Sequence, residues 1–170
     1  FFIAEPKRKV QNMQETLNPE EARASAGKYL TFGLAGDEYG LEILKVREIV
    51  GMMTVTAVPQ TPEYVRGVVN LRGKVIPVID LRAKFNMPAA QDTEESCIIV
   101  VDLGTRESGI VVDRVSEVLN VSADQIEPTP EFGASVRTDF ILGIGKTGDR
   151  VTLLLDIDRI VDRNDLDGIA

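Results

Sequence analysis

An all-β fold of two small five-stranded barrels on a shared hydrophobic core, with short helices, is what this sequence predicts. Three observations carry the prediction. From Lys28 onward, short runs rich in Val, Ile, Leu, Tyr and Thr alternate with turn signals. The order of those runs occurs twice. The 170 residues, 44% of them apolar, suffice for one sizeable domain or two small barrels, and a chain of this size buries about 70% of its unfolded surface. Two copies of a five-strand unit favour barrels, which remove exposed edges by curling a sheet on itself; a continuous β-sandwich is the alternative. Small barrels enclose little, so their apolar outer faces are expected to pack together, leaving a groove between them.

Taken in order, residues 1–27 read as an extension, flexible or helical. "PKRK" is basic, and "NPEEARASAG" has Asn18 as a helix cap, Pro19 at the first helical position and Gly27 as the stop. "YLTFGL" and "YGLEIL" on either side of "GDE" predict a hairpin. "MTVTAV" is a third strand, "YVRGVVNL" a fourth and "KVIPVIDL" a fifth, with "RG" turning the last two. Pro77 has no N–H to donate and must lie at a strand edge or a bulge. Residues 86–95 form a polar connection, after which "SCIIVVDL", "ESGIVVDRV", "SEVLNV", "FILGIGK" and "RVTLLLDI" complete the second set. The predicted domain covers 28–162 as two intertwined barrel subdomains, about 28–90 and 91–162, with a tail at 163–170.

The repeat is visible at an offset of 69 residues: Gly40 falls on Gly109, Val46 on Val115, Glu48 on Glu117 and Pro59 on Pro128. Where the halves diverge, fold is not the whole explanation. The first reads "GVVNLRG" from Gly67 to Gly73, and the matching "GIGKTG" from Gly143 to Gly148 reads one residue shorter, without the asparagine and arginine. Asn70, Leu71 and Arg72 are therefore candidates for binding a partner; the plainer reading is a wider turn with a solvated tip. Arginine suits an interface because its guanidinium offers five donors while its stem packs on apolar surface. Within the chain, Glu48 is its candidate acidic neighbour. Alternation in "LKVREIV" puts Val46, Glu48 and Val50 on one side if the stretch is extended.

Composition excludes several functions. With 19 basic against 27 acidic residues the net charge is −8 and there is no tryptophan, so nucleic-acid binding is not expected. No apolar run approaches the length of about 20 residues that spans a bilayer, so direct membrane insertion is not expected either. Without histidine, Ser-His-Asp and Cys-His catalysis and histidine metal sites are closed to the chain. The single cysteine, Cys97, forms no intramolecular disulfide and lies in a buried-strand pattern. These features read as a cytoplasmic protein. A carboxylate or metal-dependent enzyme is the rival of another class, and "DIDRIVDRNDLDG" looks calcium-like. Counted from Asp162, however, Leu166 falls on a ligand position and Asp167 where the loop needs glycine. "GLAGDEYG" and "GIGKTGDR" do not fit the phosphate-cradling spacing. No catalytic residue, cofactor or metal is assigned.

"YLTFGLAGDEYGLEILKVREIV", "TPEYVRGVVNLRGKVIPVIDLR" and "VTLLLDIDRIV" closely resemble the bacterial chemotaxis coupling family, the CheW-like domains, over about residues 28–162. The resemblance implies two SH3-like barrels. It also implies a non-catalytic adaptor joining the cytoplasmic tip of chemoreceptors to the regulatory domain of the histidine kinase CheA. Such an adaptor is a monomer that assembles into receptor arrays at the membrane. By position, Arg72 matches the arginine of the family's "NLRG" turn and Glu48 the glutamate of its "V-x-E-I" stretch, with Val46 in the same region. The implied partner-binding set is Val46, Glu48, Ile49, Asn70, Leu71, Arg72 and Gly73. Receptor helices dock in the groove between barrels and one exposed barrel edge meets the kinase. The same domain occurs within CheA and CheV. Lacking an ATP-binding glycine-rich region and a phosphorylatable histidine, this chain reads better as a standalone adaptor than as a domain excised from either.

Overall fold

A computed structural model describes residues 25–130 and 139–161. The helix expected over 18–27 falls almost wholly outside them, as does the calcium-like stretch from Asp162; Gly27, its expected stop, opens the first strand. Eleven strands and two short helices follow: β1 (Gly27–Leu34), β2 (Asp37–Glu42), β3 (Val46–Gly51), β4 (Val65–Leu71), β5 (Lys74–Asp80), α1 (Leu81–Lys84), β6 (Cys97–Asp102), β7 (Glu107–Val112), β8 (Arg114–Val121), β9 (Ile126–Glu127), β10 (Ile141–Thr147), β11 (Arg150–Leu155) and α2 (Ile157–Ile160). Most match the predicted runs to within a few residues. The exception is "MTVTAV": the third strand lies earlier, at Val46–Gly51, and in 53–58 only Thr56 pairs, with Val68. The reason is closure. This segment must cross from one end of a curled sheet to the other, and Met52, Met53 and Val55 pack over the barrel interior as it does so.

The strands form two sheets. The first barrel has the order β3-β6-β7-β5-β4, and the second β8-β1-β2-β11-β10-β9. Neither half of the chain makes a sheet alone: the β1–β2 hairpin joins strands of the second half, and β6–β7 joins strands of the first. Replacing each strand by its counterpart in the other half turns one order into the other, with Thr56 standing for β9. The exchange is sealed by two equivalent parallel pairings. Gly40 lies opposite Leu154 between β2 and β11, and Gly109 opposite Val78 between β7 and β5.

Burial follows from this crossing. In β6, Ile98 and Val100 face the interior of the first barrel, while Ile99 and Val101 face the layer between barrels. Strands buried on both faces explain the uninterrupted apolar run "CIIVV". The shared layer takes Leu30, Phe32, Leu34 and Leu41 from one barrel and Val65, Ile79, Ile99 and Ile110 from the other. The second barrel holds its own small cluster of Tyr29, Val121, Leu142 and Leu154. Fully burying such side chains contributes about 1.5–3 kcal/mol each. After β5 and β11 the chain enters α1 and α2 through Asp80 and Asp156, whose carboxylates accept from the N–H of Ala83 and Asp158.

Pro77 is not on an edge strand, since β5 lies between β4 and β7. It stands beside the register shift at Val65/Gly67, and pairing with β7 begins only at Val78. Its missing donor is therefore placed where the parallel ladder has not started.

Candidate functional site

β3 and β4 stand at the two ends of the first barrel's sheet, yet Glu48 of β3 forms an ion pair with Arg72 of the β4–β5 turn. The curl that makes this possible is closed by backbone: Thr56 and Val68 exchange N–H···O bonds of 2.9 Å in both directions. Gly67 is required beside that closure, because a Cβ there would lie 2.1 Å from the Thr56 carbonyl oxygen.

The turn itself has two central residues, Arg72 and Gly73, with φ of 52° and 84°; Leu71 and Lys74 pair on either side. Both values belong to the left-handed region that the type I′ form of a two-residue hairpin requires. Glycine enters it freely, whereas a residue with a Cβ costs of order 1–2 kcal/mol. An exposed ion pair returns about 0–1 kcal/mol. The Arg72 side chain is 68% exposed and that of Glu48 29%, so the pair does not repay that cost through stability. Its hydrogen bond and charge push the already high pKa of Arg72 further up. The side chain is a fixed cation presented to solvent.

The second barrel corrects the sequence comparison. Its β10–β11 turn also has two central residues, Gly148 and Asp149, between paired Thr147 and Arg150. Nothing is shortened; the register shifts at Gly67 and Gly143 align the hairpins so that Lys146 stands for Asn70 and Gly148 for Arg72. Nor does the second barrel dispense with the pairing. Glu117, the counterpart of Glu48, binds Arg150 at 2.7 Å, and the same arginine binds Glu38 at 2.6 Å. In the first barrel two residues divide that work: Lys74 reaches Glu107, the counterpart of Glu38, at 3.2 Å, and Arg72 takes Glu48. The added feature is an arginine at the left-handed turn tip, where the other barrel has glycine.

Of the seven sequence candidates, Glu48, Asn70, Arg72 and Gly73 are joined by direct bonds, the Gly73 N–H donating to Asn70 Oδ1 at 2.8 Å. Ile49 is 44% exposed. Val46 packs against the shared core and Leu71 against the first barrel's interior, so both lie mainly beneath the surface. Sequence reasoning missed Arg47, Lys74 and Glu107. Arg47 binds Asp102 at 3.0 Å and Glu107 at 2.9 Å, extending the charged cluster that Lys74 and Glu107 form; exposed Ile49 and Val75 lie on the opposite faces of their strands from Glu48 and Lys74. Alternation exposes Arg47, but its partners lie 55 and 60 residues away, beyond any local pattern. Cys97 is half-buried, and burial pushes its thiol pKa up. Among the described residues, no group of three or more Cys, Asp or Glu side chains is placed to hold a metal.

Fold and surface together define a double-barrel scaffold module. The chain belongs to the CheW-like domain family, which matches residues 28–165. It is 42% identical to the chemotaxis protein CheW of Klebsiella aerogenes, covering 82% of this chain and 84% of the relative. It is 33% identical to CheW of Helicobacter pylori over 91% of this chain and 99% of that one. The crystal structure of the scaffolding protein TtCheW from Thermoanaerobacter tengcongensis matches with a TM-score of 0.74 at 36% identity, covering 82% of this chain and 95% of that one.

Proposed function

We propose that this chain is a chemotaxis coupling adaptor without catalytic activity of its own, joining the cytoplasmic tip of chemoreceptors to the regulatory domain of the kinase CheA. Family membership over residues 28–165 supports the class of function. The observation that carries the site is Arg72: a strained, exposed, permanently charged side chain whose ion pair does not offset its backbone cost. In this reading the side chain is there for what it contacts outside the chain. Arg47, Glu48, Arg72, Lys74 and Glu107 supply oriented charge at this end of the first barrel, which suits a specific protein contact.

In this reading the adaptor works in the cytoplasm as a monomer recruited into receptor arrays. Among the described residues no helix is long and apolar enough to cross a membrane. The similarity to relatives named CheW, covered to 84% and 99% of their length, supports the adaptor reading. The test is a pull-down with a receptor cytoplasmic fragment and with the kinase regulatory domain. Binding to both is expected; binding to neither overturns the proposal.

A further inference from the structure

We infer that Asn70 is a positioning residue, which acts on partner binding only by holding the Arg72 turn and makes no contact with the partner itself. The inference rests on the reading of Arg72 as partner-facing. Three observations carry it. First, Asn70 spends its side-chain carbonyl oxygen within the turn, accepting the Gly73 N–H at 2.8 Å. That bond closes a ring around Arg72 and fastens the residue that follows it.

Second, the other two-residue turn with a non-glycine left-handed residue is fastened in a similar way. Ala35 and Gly36 have φ of 52° and 88°, matching Arg72 and Gly73, and the Ala35 N–H donates to Asp113 Oδ2 at 2.8 Å. Third, the equivalent turn of the second barrel places Gly148 at the left-handed position, with φ of 63°. Its counterpart of Asn70 is Lys146, which is directed instead to Glu127 at 3.2 Å. A side-chain fastener thus accompanies the strained residue and is replaced where glycine removes the strain. Without it, Arg72 would exchange the left-handed turn for other conformations, and its guanidinium would leave the register that Glu48 and the partner require.

The experiment compares Asn70→Ala, Asn70→Asp, Arg72→Ala and the double variant Asn70→Ala/Arg72→Ala in the full chain. Thermal melts first confirm that each is folded. Amide hydrogen exchange at Gly73 reads the turn, and co-sedimentation with a receptor cytoplasmic fragment and the kinase reads assembly. Asn70→Ala is expected to speed Gly73 exchange and weaken assembly about 2- to 10-fold, the range for one net hydrogen bond. Asn70→Asp keeps the acceptor and restores both. On the Arg72→Ala background, Asn70→Ala adds nothing to the assembly defect. If Asn70→Ala weakens assembly equally with or without Arg72, Asn70 is a contact residue and the inference is overturned. It is likewise overturned if only Arg72→Ala weakens assembly. If neither single variant does, the partner-facing reading of Arg72 itself has failed.

Discussion

Glu48 and Arg72 form an ion pair between the two ends of one curled sheet, and Glu117 and Arg150 pair an end strand with an inner strand of the other. The glutamates are related by the internal repeat. The arginines are not: Arg150 lies on a strand, Arg72 on a turn tip in left-handed conformation. Closing a barrel explains the first arrangement. Only the second carries a conformational cost.

Arg72→Gly therefore separates fold from function. Glycine adopts φ near 52° freely, so the variant is expected to match the parent in stability to within about 1 kcal/mol, or to exceed it. Assembly with receptor and kinase is expected to weaken. Urea denaturation and co-sedimentation read the two effects; a marked loss of stability would make Arg72 a structural residue.

Arg72→Ala is expected to change stability by no more than about 1 kcal/mol, because the pair lost is exposed. Binding should fall as it does for Arg72→Gly. Thermal unfolding beside a pull-down checks this.

Gly67→Ala behaves in the opposite way. The new Cβ would meet the Thr56 carbonyl oxygen at 2.1 Å, and φ of 143° is unfavourable to it. The closing bridge must open, with an expected loss of about 3 kcal/mol or more by denaturant titration.

Acid acts through Asp113 and Glu38. Arg82, hydrogen-bonded to Asp113, outweighs burial and, with the Ala35 N–H and the charges of Arg82 and Arg114, holds that carboxyl below its ordinary range. At Glu38 burial pulls upward, but hydrogen bonds from Arg150 and Thr152 and the charges of Arg150 and Arg114 prevail and lower it. Because the folded pKa lies below the unfolded one, this stability is present above about pH 5 and is lost as pH falls through about 4 and below. With no histidine in the chain, stability should be flat between about pH 6 and 8. Urea midpoints at pH 8, 6, 4 and 3 test both statements; a fall between 8 and 6 would contradict them.

Cutting the chain within residues 86–95 tests the strand exchange. Each fragment lacks a hairpin that the other supplies, so neither is expected to fold alone, while an equimolar mixture regains the β-sheet circular dichroism of the intact chain. A fragment that folds cooperatively by itself would contradict this.

The site was legible where its signal is local. "VREIV" shows its alternation from Glu48 to Val50, though a bulge between Val46 and Glu48 turns Val46 to the shared core and away from the side it was expected to share, and "NLRG" stands out as a hairpin turn that breaks the repeat. The pairing of Lys74 and Arg47 with Glu107 and the second barrel's own Glu117–Arg150 pair were not legible. Each joins residues close in space through sheet curl or strand exchange, not through sequence spacing. The misplaced third strand has the same origin: "MTVTAV" has strand composition, but its path is set by the gap it must cross.

By itself the sequence determined an all-β chain, the recurrence of five strand-forming runs and the placement of an arginine in a tight turn. Period-two burial and turn chemistry are properties of neighbouring residues and can be read along the chain. Only the tertiary structure decided which half supplies each strand, and that Arg72 occupies a position where its counterpart is glycine. Those outcomes depend on long-range register, which is set when two apolar faces pack together and has no local code.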